Sequence, residues 1–370
     1  MLSSPPKNDE IEVSLFGPGY GECILLHIGG SQWIIVDSCI DLNSRKPAAL
    51  QYLTNIGVDP SKDVKLVIAT HWHDDHIRGL GEIVSYCENA KFVCSDALGN
   101  KNFLRLVEVY TNHFSSKNKP GPYEFYKIFN ILQSRSSTPR LASVDKHLWC
   151  NRTSSYSPDI LCSVYALSPS DKELLKSKLS IANLLPEEHQ LKTRLSSPKP
   201  NNSAVVLLIE IGEIQILLGA DLEETSDAET GWSVIVDSTT RPHGQAFIYK
   251  IPHHGSKNSD FQPIWDNLLL KSPFALITPF TRGPKPLPEE SVARQICKRT
   301  ENAYISIKQP SKKLKIREPL VKKMIKRTVK QIKVVEHSTG HVRLRGEPKA
   351  SHSSWQVHLF NGACNLNSYF

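Results

Sequence analysis

Residues 71–76 read HWHDDH and follow the apolar run VKLVIAT, so three histidines and two aspartates fall within six positions. Those residue types at that density are the donors a divalent cation needs, several nitrogens and oxygens converging on one point. His71 and His73 stand two apart, and on an extended loop both rings turn to one side. Asp75 and His76 are adjacent and serve a second point close by, with Asp74 outside both sets. Five ionisable groups directly after a buried strand would otherwise repel one another or stay unpaired.

Three further segments end an apolar run in a polar residue. WIIVDSC leads to Asp37, IQILLGAD to Asp221, and YKIPHHGSK to His253 and His254. Asp37 reads either as a helix N-cap or as the support of a ligand histidine. Asp221 and the His253–His254 pair, taken with the 71–76 loop, make three strand-end ligand sets in one chain, the layout of a two-metal site. Such a pair of ions supplies an activated water that attacks phosphorus or carbonyl carbon, so no serine or cysteine nucleophile is needed, and the chain has no G-x-S-x-G motif. Lys257, in HHGSKNS, would place an ammonium on a phosphate oxygen, with Ser256 and Asn258 as donors beside it; the plainer alternative is a solvated lysine in a polar turn.

The elements that must carry these residues alternate along the chain. IEVSLF (11–16), ECILLHI (22–28) and QWIIVD (32–37) read as strands joined by GPGYG and GGS turns. A helix near 46–56, the strand VKLVIA, a helix over 77–88 and the strand KFVCS follow. Residues 100–200 read as helices at LRLVEVY, YEFYKIFNIL and 171–185, a strand at 159–167, and loops. SAVVLLIEI and EIQILLGA form a hairpin through Gly212, and AFIYKI is a strand aimed at His253 and His254. FALITP, a helix over 288–298 and AYISI complete this part. After it come a basic helix and short strands near VKQIKVVEH, GHVRLR and WQVHLF. Strands and βα units, twice over, predict two sheets packed face to face with helices outside.

Composition narrows the class. With 370 residues and 39% hydrophobic content the chain is globular in type. No long apolar run predicts a membrane span, and MLSSPPKNDE places proline and charge where a signal peptide needs an apolar core, so a cytoplasmic protein is expected. The eight cysteines form no C-x-x-C pair and read as reduced core residues. The net charge of +8 is concentrated: Lys308–Lys333 holds eleven basic residues and one acidic, Glu318. As a helix from Pro319, that segment puts Leu320, Met324 and Ile325 on one side and Lys322, Lys323, Lys326, Arg327 and Lys330 over much of the rest. This suits a phosphate backbone, and a solvated face or an anionic membrane surface are the alternatives.

The ordered set GPGYGECILL, IIVDSC, THWHDDHIRGL, NNSAVVLLI, LLGADLEE and IPHHGSKNS, over residues 11–307, resembles the metallo-β-lactamase superfamily. More narrowly it resembles the soluble hydrolase domain of ComEC-type competence DNA-uptake proteins. The resemblance implies a four-layer αβ/βα sandwich, expected over 1–307 with a helical and loop insertion at about 100–200; the sequence adds a small basic α+β extension over 308–370, packed on or continuous with the sandwich. It implies two divalent ions, zinc or manganese. His71 and His73 would hold one, Asp75, His76 and His254 the other, and Asp221 would bridge. His254 rather than His253 is the ligand because the superfamily's ligand directly precedes glycine; His253 is left to support a ligand or act as a general acid. Asp75 would also orient the attacking water. The chain departs from the pattern at Gly21–Glu22, where Gly-Asp is usual, at His73, where the DNA-uptake domains often carry Asp, and at Ser168–Pro169, where the superfamily's third histidine has no counterpart. The function expected is a nuclease or phosphodiesterase acting on DNA. A small phosphodiester or cyclic nucleotide hydrolase, an ester, thioester or lactam hydrolase, and a nucleic-acid-binding module with a vestigial site are the alternatives.

Overall fold

The apolar runs pair into two mixed sheets. The structure, a computed structural model, describes residues 4–18, 21–113, 121–152, 158–185, 200–281, 286–308, 318, 323–324, 327–328 and 339–369. In chain order the strands are β1 (Ile11–Gly17), β2 (Cys23–His27), β3 (Trp33–Asp37), β4 (Val64–Ala69), β5 (Lys91–Ser95), β6 (Arg140–Ala142), β7 (Lys146–Cys150) and β8 (Cys162–Ala166). They continue as β9 (Leu207–Ile211), β10 (Ile214–Leu218), β11 (Ala246–Lys250), β12 (Leu269–Ile277), β13 (Ala303–Ile305), β14 (Gly340–Gly346), β15 (Trp355–Phe360) and β16 (Cys364–Asn365). One sheet runs β15-β14-β1-β2-β3-β4-β5-β6 and the other β16-β13-β12-β11-β10-β9-β8-β7.

The central strands are buried on both faces, which is why they read as continuous apolar runs rather than alternations. Between the sheets, Val13, Leu26, Ile34 and Ile68 pack with Ile209, Ile216, Phe247 and Leu276. The opposite face of the first sheet, with Trp33, Val67 and Phe92, is covered by helices Ala48–Asn55, Leu80–Tyr86, Lys101–His113 and Pro122–Ser134. The opposite face of the second, with Leu217, Tyr249 and Ala275, is covered by Gly231–Asp237, Gln262–Asn267 and Glu290–Arg299. Helix, sheet, sheet, helix is the expected four-layer sandwich.

The pairing also decides where the polar strand ends meet. β3 and β4 are parallel, with Val36 beside Ile68, and β10 and β11 are parallel, with Leu218 beside Lys250. Parallel neighbours end at the same edge, so Asp37 and the 71–76 loop leave one sheet together, and Asp221 and His253–His254 leave the other.

The expected helix over 77–88 is broken. Asp74–Ile77 is one short helix and Leu80–Tyr86 another, with Arg78 extended and Gly79 at φ +85 between them. A side chain on Gly79 would run into Ile40, so the chain must turn there. The middle of the chain, read as helices, loops and one strand, also supplies β6 and β7, an edge strand for each sheet. Short, half-exposed runs such as KHLWC carry little periodicity to announce them. At the C-terminus β14 and β15 extend the first sheet beyond β1, and β16 pairs with β13 in the second. Most of the expected basic helix, including Lys322, Lys326 and Lys330, and the strand near VKQIKVVEH lie outside the described residues; Lys323 and Arg327 are described and exposed. Among the described residues no helix is long and apolar enough to cross a membrane.

β14 is bound to β1 by charge as well as by its ladder. Glu12 is wholly buried and accepts from Arg345 Nε at 2.6 Å, from Ser14 Oγ at 2.6 Å and from the Tyr52 hydroxyl at 3.0 Å. Removing one partner of such a pair strands the other charge away from water. Glu12→Ala is therefore expected to cost about 3–5 kcal/mol in urea denaturation. The apolar double replacement Glu12→Leu/Arg345→Met should cost much less, and equal losses in the two variants would contradict this account.

Candidate metal centre

The 71–76 loop is fixed from three sides by main-chain bonds. Val205 N–H donates to the Thr70 carbonyl at 3.0 Å, Glu22 N–H to that of Asp75 at 2.9 Å, and Ser38 N–H to that of His76 at 2.7 Å. The GPGYG turn ends in glycine for a steric reason. Gly21 has φ +108, and a Cβ there would overlap the Asp75 carbonyl.

Asp37 settles its two sequence readings in favour of supporting a histidine. Its carboxylate accepts from Thr70 N–H at 2.8 Å, from Thr70 Oγ1 at 2.7 Å and from His76 Nδ1 at 2.8 Å. His76 Nε2 is thereby turned inward, 3.3 Å from Asp221 Oδ1. Asp221 Oδ2 lies 3.9 Å from His71 Nε2 and 3.8 Å from His254 Nε2. His254 Nδ1 donates to the Thr278 carbonyl at 3.0 Å, leaving its Nε2 3.5 Å from Asp75 Oδ2. His73 Nδ1 is 3.1 Å from His71 Nε2. All six residues expected as ligands therefore meet. His71, His73 and Asp221 offer donor atoms within 4.8 Å of one another, and so do Asp75, His76 and His254.

The electrostatics are those of a site built around positive charge. Burial holds His71 neutral, with its pKa well below the usual range, and the neighbouring imidazoles add to this. Burial also disfavours charge on His76, but Asp221 and Asp37 outweigh it and hold the ring protonated. Burial would raise Asp221, yet His76, His254 and His71 dominate and keep it ionised. If the imidazoles were neutral, as metal ligands must be, the carboxylates of Glu22, Asp37, Asp75 and Asp221 would have, among the described residues, the buried ammonium of Lys250 as their cation. Among the described residues, His76 Nε2, His254 Nε2, Asp221 Oδ1 and Glu22 Oε2 are buried without a hydrogen-bond partner. Orphaned donor atoms around excess negative charge fit a pair of divalent cations held by nitrogen and oxygen.

The other expected residues are placed differently. His253 is partly exposed; its Nδ1 bonds to Glu223 Oε1 at 3.0 Å and to Ser256 Oγ at 3.0 Å, and its Nε2 faces Asn201 Nδ2 at 3.2 Å. The bond from His253 holds the Glu223 carboxyl down to about 2. Lys257 is exposed and makes no ion pair among the described residues, and Asn258 reaches Glu223. Ser168, at the strand end without a third histidine, braces the loop by donating to the Ala204 carbonyl at 2.6 Å and accepting from Val206 N–H. Four residues given no role from sequence belong to this region: Glu22, Lys250, Glu223 and Asn201. Lysine inside the apolar strand AFIYKI was the visible signal for Lys250; nothing in the sequence pairs it with Glu22. The cleft over Asp75 and His254 is walled by Pro18, Pro279 and Phe280, whose ring stacks on His254 with centroids 5.2 Å apart.

The family model described as "Metallo-beta-lactamase superfamily" matches residues 16–137, the span that holds Asp37 and the 71–76 loop. With the two-sheet topology above, that match decides the architecture. The fold is the metallo-β-lactamase sandwich. No curated protein matches the chain. Similar solved structures include the metallo-β-lactamase fold protein YhfI from Bacillus subtilis, at 12% identity over 65% of this chain and 70% of that one, with a TM-score of 0.32. Metallo-β-lactamase SMB-1 is 14% identical over 60% of this chain and 65% of its own, at 0.31. AidC, a dizinc quorum-quenching lactonase, is 16% identical over 54% and 55%, at 0.30. The chain thus spans less than two thirds of the last two, and likenesses at this level say nothing of its substrate.

A metallo-β-lactamase fold with this cluster makes metal content the direct measurement. Purified protein is expected to carry divalent metal by elemental analysis, and Asp221→Ala to lose at least half of it. Asp74→Ala, whose carboxylate instead pairs with Arg78 at 3.1 Å, should leave the content unchanged. Equal content in Asp221→Ala and the wild type would rule out Asp221 as a shared ligand.

Proposed function

We propose that this chain is a metal-dependent hydrolase acting on a phosphodiester of nucleic acid, DNA in the first place. The observation that carries the reading is the convergence of His71, His73, Asp75, His76, Asp221 and His254, with inward donor atoms left unsatisfied. In this reading His71 and His73 would hold one ion, Asp75, His76 and His254 the other, and Asp221 would serve both. When bound, two divalent ions bring the pKa of a shared water toward neutrality and offset charge on the reacting oxygens. Asp75, at the floor of the cleft, orients the attacking water and accepts its proton. His253, its ring fixed by Glu223 and Ser256, donates its own proton to the leaving oxygen and regains one from solvent, while the proton on Asp75 is released to solvent. Lys257, exposed on the same turn, meets a phosphate oxygen of the incoming strand.

Support for a polymeric anion comes from the sequence: the basic segment 308–333 and the resemblance to the hydrolase domain of DNA-uptake proteins. Lys322, Lys323, Lys326, Arg327 and Lys330 are its proposed backbone contacts. A second reading is favoured by the cleft itself. Its wall of Pro18, Pro279 and Phe280 suits a compact substrate with an apolar part, such as a small phosphodiester or an ester.

Asp75→Asn and His71→Ala are each expected to lower cleavage of plasmid or single-stranded DNA by at least about 100-fold. Their melting temperatures should stay near that of the wild type. Neutralising Lys322, Lys323, Lys326, Arg327 and Lys330 together should weaken DNA binding and flatten its dependence on salt. Turnover of cyclic dinucleotides with intact polymer would select the small-substrate reading instead.

A further inference from the structure

We infer that the buried pair Glu22–Lys250 is a positioning device for the metal centre, in which Lys250 sets the place of Asp221 and Glu22 puts negative charge behind His76 and His254, whose rings Asp37 and the Thr278 carbonyl orient. The inference rests on the metal-centre reading above.

Lys250 is the last residue of β11 and is wholly buried, while Glu22 stands just before β2 and is 2% exposed. Glu22 leads into a strand of one sheet and Lys250 ends a strand of the other, so their contact crosses the sandwich at the edge where the candidate ligands gather. An ammonium withdrawn from water is costly, and the apolar core on either side has no need of one. Lys250 Nζ touches Glu22 Oε1 and donates to the Ala220 carbonyl at 3.3 Å. Ala220 has φ +45, a strained left-handed conformation for a residue with a Cβ, and it directly precedes Asp221. The same carbonyl also accepts from His253 N–H at 3.0 Å. Lys250 thus helps pin the peptide that aims Asp221, from the strand that leads to His254.

Glu22 acts on the outer sides of two rings. Its Oε2 is 3.6 Å from His254 Nδ1 and its Oε1 3.9 Å from His76 Nδ1, whereas the Nε2 atoms of both rings face Asp221. Negative charge behind a ligand imidazole favours the tautomer with its proton on Nδ1 and makes Nε2 the better donor. Glu22, His76 and Asp221 also have donor atoms within 4.8 Å of one another. An ammonium in contact with Glu22 repels a cation from it, which makes Glu22 a brace rather than a third ligand.

The test measures zinc affinity of the full chain by competition with a chromophoric chelator, alongside urea denaturation. The variants are Glu22→Gln, Lys250→Met and the double Glu22→Gln/Lys250→Met. Lys250→Met alone strands a buried carboxylate and should lose stability as well as affinity. The double variant removes both charges and should recover stability while binding zinc about 10–100-fold more weakly than wild type. Glu22→Gln keeps the shape and a hydrogen-bonding oxygen, and it decides the matter if the others do not fold; its expected loss is of the same order. Wild-type zinc affinity in a folded double variant, or in Glu22→Gln, overturns the inference and leaves the metal-centre reading standing. A wild-type protein that takes up no zinc or manganese overturns both.

Discussion

Three carboxylates, those of Glu22, Asp37 and Asp221, are withdrawn from water at the shared edge of two sheets, and the arrangement around them follows from that. A buried carboxylate must be met by hydrogen bonds or positive charge. Asp37 is met by Thr70 and His76, Glu22 by Lys250, and Asp221 by the nitrogens of His71, His76 and His254 at 3.3–3.9 Å, without an aligned hydrogen bond for its Oδ1. Asp37 is satisfied by the protein, and Glu22 at its Oε1 by Lys250. Asp221 and the inward faces of His76 and His254 are left for a cation.

The sandwich makes this possible because it holds the candidate ligands on stiff elements. Each donor sits within a few residues of a strand that is buried on both faces, and each connecting turn is tied by main-chain bonds to another turn. Glu22 against Asp75 and Ser38 against His76 are the clearest cases. Rigid support of this kind fixes donor positions before any ion arrives. The first candidate set is His71, His73 and Asp221, and Ser168 is occupied as a loop brace. His253 and Glu223 form a separate polar pair beside the cluster, oriented by Asn201 and Ser256 rather than by the ligands.

Much of the fold was legible because its strands are buried on both faces and so read as uninterrupted apolar runs between glycine-rich turns. The elements that were missed or misread lack that signal. β6 and β7 are short and half exposed, and the broken helix after His76 turns on the contact of Gly79 with Ile40, far away in sequence. The candidate ligands were legible for a related reason. Ionisable groups directly after buried strands have no local partner, and that mismatch is visible in a linear string.

What the sequence determined by itself was the chemistry at each strand end: imidazole and carboxylate at 71–76, carboxylate at Asp37 and Asp221, imidazole at His253 and His254. Only the tertiary structure decided which of these faces which. Whether Asp37 capped a helix or held His76, and whether Glu22 and Lys250 met, depended on the parallel pairing of β3 with β4 and β10 with β11 and on the packing of one sheet against the other. Contacts across more than two hundred positions have no periodicity to betray them, because they are set by burial and strand order rather than by neighbours along the chain.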